Sequence, residues 1–373
     1  MKILRKTNFK GLRKALQMSP EEIKEKIKKS ELKGRGGSNF PTGEKIEMTM
    51  SREGVKKYII CNADEGEPGT FKDRFILEKN PLNVIEGMLI AARAISAEEG
   101  YIYLRGQYSY LRPNIEKAIQ AAKKAMKNLN ITFNFHIIIG GGAYVCGDET
   151  AIIESIEGKR GNPRIKPPFP SRKGLFQMPT LVNNVETLAN LPLIFTDKNW
   201  NDNWRLFCIS GDVRKPGVYE LPLGIPLKKA IQITRPKNNI KAIYFGCYGG
   251  CIPYDENLIL DCEPIRKKGA MLASSLILVD ETRSILDISA IISKFFEFES
   301  CGQCTPCREG NIRVLELLQK ISLKKAKRKD LKLLEELCGV IGDTSLCGLG
   351  QSSVNHIMKE LKYFKNEFQE KIK

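Results

Sequence analysis

Cys301, Cys304 and Cys307, in ESCGQCTPCREG, stand at two equal CxxC steps. Soft thiolates at that spacing reach successive corners of one iron–sulfur cubane and leave backbone amides to bond its sulfides. The local ferredoxin pattern would place a fourth cysteine about four residues after the third. Asn311 occupies that place, so the fourth ligand must be remote. Two cysteines follow: Cys338 in LLEELCGVIG and Cys347 in DTSLCGLGQ. Cys347 is the better choice, because the glycines at 348 and 350 let backbone approach a cluster closely, whereas Cys338 fits the apolar face of a helix. Structural zinc and redox thiols are the competing readings, although zinc sites with four cysteines usually pair their ligands two and two. Arg308, beside Cys307, would offset the charge of a thiolate cluster. Cys61 and Cys208 end apolar runs and read as core, and Cys247, Cys251 and Cys262 lack a fourth partner nearby.

A second chemistry is written in glycine-rich turns. GRGGSNFPTGEK lacks the GK[ST] ending of a P-loop, and Asn39 stands where a third glycine of GxGxxG would be. Its composition still suits a phosphate, with unobstructed glycine amides, Arg35, and Lys45 as a point charge. Two acidic turns add to it: CNADEGEPGT with Asp64, Glu65 and Glu67, and GGGAYVCGDETA with Asp148 and Glu149. Carboxylates do not bind phosphate. They suit ribose hydroxyls or a flavin's polar edge, and the bland reading of any one of them is a solvated loop acid.

These turns need strands to position them. KKYIICNA reads as a buried strand, NVIEGMLIAARAI as a helix, GYIYLRG as a strand, NIEKAIQAAKKAMKNL as an amphipathic helix and FNFHIII as a strand. Strand and helix alternating in this way predict an α/β layer with a largely parallel sheet, whose ligands lie beyond the carboxyl ends of the strands. From about Trp204 the chain changes to short strands with one helix. Beyond Ile285 the periodicity is helical and predicts a C-terminal bundle carrying the cysteines.

At 373 residues, 42% of them hydrophobic, the chain has the size of two or three domains with real cores. The formal charge of +17 invites a nucleic-acid reading, but lysines are scattered along the whole chain and no nucleic-acid motif accompanies them. No nucleic acid is therefore expected as a partner. MKILRKTNFKGLRKAL has no apolar signal core, so a reducing setting with metal-binding cysteines is expected. Its basic character faintly resembles a transit peptide. A short amphipathic helix explains it equally well, since SPEEIKEKIKKSEL follows with Ser19 and Pro20 at a helix start. No run is long and apolar enough to span a bilayer.

Six segments together carry a resemblance: GRGGSNFPTGEK, CNADEGEPGTFKDR, GGGAYVCGDETA, EGKRGNPRIKPPFP, PTLVNNVETL and ESCGQCTPCREG. In order and content they resemble the NADH-binding FMN and iron–sulfur flavoprotein subunit of respiratory complex I, the 51-kDa type. That family includes the diaphorase subunits of NAD-linked hydrogenases and formate dehydrogenases. The resemblance runs from about Gly34 to Gly350. It implies an N-terminal helical segment (1–33), a Rossmann-like α/β domain for FMN and NADH (34–203), a ubiquitin-like β-grasp module (204–284) and a helical domain with a [4Fe-4S] cluster (285–373).

It further implies that Gly34, Arg35, Gly36, Lys45, Asn62, Asp64, Glu65, Gly147, Asp148, Glu149, Asn183 and Asn184 surround FMN. Phe40, Lys166 and Phe169 would clamp NADH with Glu67 close by. Glu65, Glu67 and Asp148 would tune binding and potential at the reacting centre, and Cys301, Cys304, Cys307 and Cys347 would hold the cluster. Electrons would enter from NADH and leave to a thioredoxin-like [2Fe-2S] subunit and a large iron–sulfur subunit. A membrane arm would be involved only indirectly, with the protein peripheral on the cytoplasmic side of the inner membrane, or on the matrix side in a eukaryote. Ser38 and Asn39 replace an alanine and a glycine usual in the family, Ile46 and Met48 replace aromatics, and Asp148 replaces a glutamate. These departures put the freedom of the first loop and the strength of the nucleotide clamp in question.

Overall fold

The computed structural model describes residues 1–51 and 54–372. They form two compact units, Met1–Gly66 with Phe71–Trp204, and Glu67–Thr70 with Arg205–Lys373.

The first unit is built on four strands, β1 (Tyr58–Ala63), β2 (Glu99–Leu104), β3 (Asn134–Ile139) and β4 (Thr180–Asn184), in the order β3-β2-β1-β4. Every pairing is parallel, as the alternation of strand and helix predicted. The chain moves outward from β1 to β3 and then returns to the other side of β1, so the strand order reverses between β1 and β4. A crevice opens at the carboxyl ends of such a pair, and it is the usual ligand position of open α/β sheets. The helix Pro81–Ile95 is apolar almost all round and packs alongside the helix Val185–Thr196, both of them touching the sheet. Gly87 makes that contact possible, since a Cβ there would come within 1.9 Å of the Leu188 carbonyl oxygen.

The N-terminal stretch belongs to this core. Glu86, fully buried, accepts from the amides of Phe9 (2.9 Å) and Leu12 (3.0 Å) and from the Thr7 hydroxyl. Ile3, Phe9, Leu12 and Ala15 are buried with it, so these basic first residues are packed structure. Beyond them Ser19 and Glu22 form the full capping box of the helix Pro20–Lys29, a device that stabilises a helix start by about 0.5–2 kcal/mol.

The second unit has five strands, β5 (Trp204–Gly211), β6 (Gly217–Pro222), β7 (Ile240–Phe245), β8 (Cys251–Pro253) and β9 (Ser275–Asp280), ordered β6-β5-β9-β7-β8. The first and last of them run parallel while β7 is antiparallel to both neighbours. With the helix Leu227–Gln232 inserted after the first hairpin, this is the β-grasp order. Phe207, Ile209, Leu227, Ile231, Phe245 and Leu278 fill its core. Helices Ile285–Glu299, Thr305–Ser322, Arg328–Thr344 and Asn355–Tyr363 follow as a bundle, each turning its apolar stripe inward as the sequence periodicity requires. Among the described residues no helix is long and apolar enough to cross a membrane.

Glu360 and His356, both fully buried in this unit, respond to pH in opposite directions. The Tyr244 hydroxyl donates to Glu360 Oε1 at 2.8 Å, and burial raises the Glu360 carboxyl to about 8. His356 stacks on Phe296, and burial lowers its imidazole to about 3. Both side chains are therefore folded in their neutral forms. The Glu360 contribution is complete below its unfolded pKa near 4.5 and is lost as pH rises through 8. The His356 contribution is complete above 6.5 and is lost as pH falls toward 3. Stability of the unit should then plateau between about 4.5 and 6.5 and decline on either side. Glu360→Gln, which keeps an acceptor for Tyr244, should abolish most of the alkaline decline, a gain of up to about 5 kcal/mol at pH 8. Urea unfolding at pH 5.5 and 8 checks this, and an unchanged difference between the two pH values in the variant would refute it.

Candidate functional site

Register brings the second and fifth motifs side by side. Asn62 of β1 lies opposite Asn184 of β4, and Cys61 opposite Asn183. Asn62 Nδ2 donates to the Gly147 carbonyl at 2.9 Å, which fastens the third motif over the end of β1. The first loop closes the remaining side. A Cβ on Gly36 would stand 3.4 Å from Cβ of Asn184, and the Arg35 amide donates to the Thr187 hydroxyl at 2.9 Å. Gly34 is held at the loop mouth by its amide donating to the Phe40 carbonyl at 2.8 Å. Four glycine- or asparagine-bearing segments, distant in sequence, thus meet at the β1/β4 crevice. Asn39 adopts a left-handed conformation (φ 52°), which asparagine tolerates better than most residues, so the missing glycine does not prevent the turn.

Charge is arranged beside these segments as an alternating chain. Lys45 Nζ lies 2.8 Å from Glu149 Oε2, and Lys166 Nζ lies 3.6 Å from Glu149 Oε1 and 3.2 Å from Asp148 Oδ2. All four side chains keep a share of solvent. Burial alone would push the Asp148 carboxyl up, but Lys166 and donors from Thr150 and Ala151 more than offset it and hold it below its ordinary value. The same carboxylates keep Lys166 protonated against the opposing effect of burial. The rings of Phe40 and Phe169 stand well out into solvent, 38% and 53% exposed.

Three expectations are corrected here. Arg35 does not present its guanidinium to a phosphate: the side chain is buried, bonded to Asp202 at 2.7 Å and close to Glu186 at 3.9 Å. Its charge locks the loop onto the unit, leaving backbone as its contribution to a ligand. Asp148 Oδ1 accepts from the amides of Thr150 and Ala151 and from the Thr150 hydroxyl, so it starts the helix Ala151–Ile156, and only Oδ2 faces Lys166. Ile46, compared above with a ring of the nucleotide clamp, is fully buried, whereas Met48 is exposed.

Beneath the crevice lies a buried ionic cluster that sequence reading missed. Lys72 Nζ contacts Asp73 (2.7 Å), Glu186 (3.2 Å) and Asn184 Oδ1 (3.2 Å). Asn184 Nδ2 in turn donates to Asp73 Oδ2 at 2.5 Å. Burial would neutralise Lys72, but Asp73, Glu186 and Glu65 hold it protonated. Glu65 accepts from the amides of Asp73 (2.9 Å) and Arg74 (3.2 Å) and from the Tyr108 hydroxyl (3.3 Å). Burial, followed by the charge of Asp73, raises its carboxyl to about 7. Asp64 pairs with Arg105 at 3.8 Å. Asn184 is thereby spent on the cluster, while Nδ2 of buried Asn183 finds no hydrogen-bond acceptor among the described residues. Lys72, Asp73 and Glu186 of this network lie in FKDR and NNVETL, two segments that local pattern does not connect.

Glu67 belongs to the second unit. Its Oε1 accepts from the amides of Cys247 (2.8 Å) and Tyr248 (3.4 Å), and its Oε2 from the Thr70 hydroxyl (3.2 Å). This is a clasp fastening the short Glu67–Thr70 segment to the turn after β7.

The cysteines meet in the same unit. Cys304 precedes the helix Thr305–Ser322, Cys307 lies in its first turn, and Cys347 precedes the short helix Gly348–Ser352. Burial raises the Cys307 thiol to about 11, with further contributions from Cys304, Cys347 and Cys301 around it. Gly350 brings the Cys347 turn against Cys307, since a Cβ there would stand 3.1 Å from Cβ of Cys307. Gly302, at φ 77°, makes the bend of the first CxxC step, and Arg308 Nη1 donates to its carbonyl at 2.9 Å. Cys338 is buried in its helix, and the charges felt there are those of Glu360 and Glu335.

Residues 27–193 match the Nuo51 FMN-binding domain, 206–234 the SLBB domain, and 287–371 the iron–sulfur binding region of NADH-ubiquinone oxidoreductase-F. The second F-type subunit of the NADH-quinone oxidoreductases of Rhizobium meliloti is 42% identical over 96% of this chain and 91% of its own length. The chain belongs to the family of F-type subunits of NADH-quinone oxidoreductase. The F-type subunit of Aquifex aeolicus is 41% identical over 98% of this chain and 89% of its own. A subunit of an NADP-reducing hydrogenase from Solidesulfovibrio fructosivorans is 37% identical over 97% and 78%. Among solved structures, an NAD+-reducing [NiFe]-hydrogenase in the H2-reduced state has a chain that superposes with a TM-score of 0.91 at 35% identity. That match covers 98% of this chain, which spans 65% of the hydrogenase chain's length.

The residues present fit the groups this family carries, FMN and a four-iron cluster. Asn183 offers a buried, unused donor, and Gly36 and Gly147 stand next to Asn184 and Asp64 at the ends of β4 and β1. Among the described residues no three histidine, cysteine or carboxylate side chains converge on a single ion. Cys301, Cys304 and Cys347 all act on the Cys307 thiol, and four soft sulfurs in one neighbourhood suit the cluster.

Proposed function

We propose that this chain is the electron-input subunit of a respiratory NADH-quinone oxidoreductase. It takes hydride from NADH and delivers single electrons through its own cluster to partner subunits. The convergence of Gly36, Asn62, Gly147 and Asn183 where the strand order reverses is the observation that carries this reading. FMN, when bound, accepts hydride from nicotinamide C4 at N5 and converts the two-electron input into one-electron output.

The protein supplies position and electrostatics. Gly34, Gly36 and Gly147 offer backbone to the flavin, Asn183 offers its unused amide, and Asn62 and Asp64 hold the turn that supports them. Lys45, now paired with Glu149, would be the cation for the flavin phosphate. Phe40 and Phe169 provide faces for the adenine, with Lys166 between Asp148 and Glu149 as the nearby cation. Breaking the C–H bond needs no acid or base, so Glu65 acts by fixing the Asp73 and Arg74 amides and not by moving a proton. Cys301, Cys304, Cys307 and Cys347 hold the cluster.

The relatives named above are subunits of larger enzymes. The partners that fit are a thioredoxin-like [2Fe-2S] subunit and a large iron–sulfur subunit, with the chain peripheral on the cytoplasmic face of the membrane. The superposition with the hydrogenase chain favours one alternative, a diaphorase subunit of an NAD-linked hydrogenase, and the proteins that co-purify decide between the two. The reaction itself is tested by anaerobic titration of the reconstituted chain with NADH, following flavin absorbance and the reduced-cluster EPR signal. Flavin bleaching with a four-iron signal is the expected result. Bound flavin that excess NADH leaves oxidised would overturn it.

A further inference from the structure

Cys307 is the most deeply buried of the four cysteines, and two side chains outside the ligand set are directed at its sulfur. Asn311, itself 1% exposed, places Nδ2 at 3.4 Å from Cys307 Sγ and at 2.9 Å from the Cys307 carbonyl oxygen. The two hydrogens of one amide are thus both committed to the same cysteine. The Ser300 hydroxyl lies 3.3 Å from Sγ and accepts from the Gly302 amide, also at 3.3 Å. A metal-bound sulfur carries no proton, so in the loaded protein Ser300 must be the donor. The position that a local ferredoxin motif would fill with a fourth cysteine is here filled by a donor to the third.

From this geometry we propose that Asn311 and Ser300 are positioning residues that set the reduction potential of the cluster through hydrogen bonds to Cys307 Sγ. The inference rests on ligation of the cluster by the four cysteines. The physical cause is differential. One electron added to the cluster spreads negative charge onto its sulfur ligands, so donors aimed at a sulfur stabilise the reduced form more than the oxidised form and raise the potential. No proton leaves Asn311 or Ser300. The electron comes from NADH through the flavin and goes on to the acceptor. Burial strengthens the effect, because little water is present at Cys307 to replace a lost donor.

The test is an EPR-monitored redox titration of the reconstituted full chain and three variants. Asn311→Leu keeps the volume and removes the amide. Ser300→Ala removes the hydroxyl, and Ser300→Thr retains it. The parent should show a four-iron signal. Asn311→Leu and Ser300→Ala should each lower the reduced-to-oxidised ratio at fixed poise by up to about tenfold, equivalent to 59 mV for one electron. Ser300→Thr should titrate with the parent. An intact cluster whose midpoint is unmoved in both Asn311→Leu and Ser300→Ala overturns the inference and leaves the ligand assignment standing. A parent that binds no four-iron cluster overturns both. If Asn311→Leu does not assemble a cluster, the contrast between Ser300→Ala and Ser300→Thr decides the matter.

Discussion

Cys347→Ser should remove the four-iron EPR signal and most of the bound iron, whereas Cys338→Ser should leave both unchanged. Serine keeps the shape of cysteine but replaces a soft thiolate by a hard, far less acidic hydroxyl, and iron–sulfur clusters select the soft ligand. The two cysteines differ in where the fold puts them. Cys347 sits at the start of a short helix, in a turn that Gly350 packs against Cys307, and it contributes to the electrostatics of that thiol. Cys338 is buried among bundle side chains, its thiol raised by that burial and by Glu360 and Glu335. Iron and sulfide analysis with EPR at low temperature distinguishes the outcomes. Loss of the cluster in Cys338→Ser with retention in Cys347→Ser would overturn the ligand set.

Lys72→Met should destabilise the first unit by about 3–5 kcal/mol, because removing one partner from a buried ionic cluster leaves uncompensated charge behind. Asp73 loses its 2.7 Å partner and Glu186 its 3.2 Å partner, although Arg35 still lies 3.9 Å from Glu186. Burial already raises the Asp73 carboxyl, and without Lys72 it rises further. A carboxyl with a raised folded pKa loses stability as pH increases, so the variant should be worse at pH 8 than at pH 6. Flavin affinity should fall with stability, since Lys72 and Asp73 fix both ends of the Asn184 amide beside Asn62. Urea unfolding at the two pH values, with flavin fluorescence to follow release, provides the measurement. A loss below about 1 kcal/mol with flavin retained would show that the cluster relaxes without cost.

Much of this protein was determined by sequence alone. Periodicity located β1, β2 and β3 of the parallel sheet but not β4, because an apolar run reads as a strand and a crossover helix as a 3.6-residue pattern. Two CxxC steps specified a cluster, because thiolate chemistry at that spacing has few other uses. The helix start at Ser19 and Pro20 was legible because its signals lie within a few residues of one another. Only the tertiary structure decided what depends on groups remote in sequence.

Arg35 suited a phosphate by composition, yet Asp202 takes its charge; Glu67 was placed near NADH, and the turn after β7 supplies it two amides; Asp148 was placed at the reacting centre, and Thr150 and Ala151 bond one of its oxygens. Lys72, Asp73 and Glu186 carried no signal of their own, and burial joins them to Asn184. The physical reason is common to all of these cases. A charged side chain's chemistry is set by the partner that replaces water on burial, and that partner is chosen by strand order and register, which no local stretch of sequence contains.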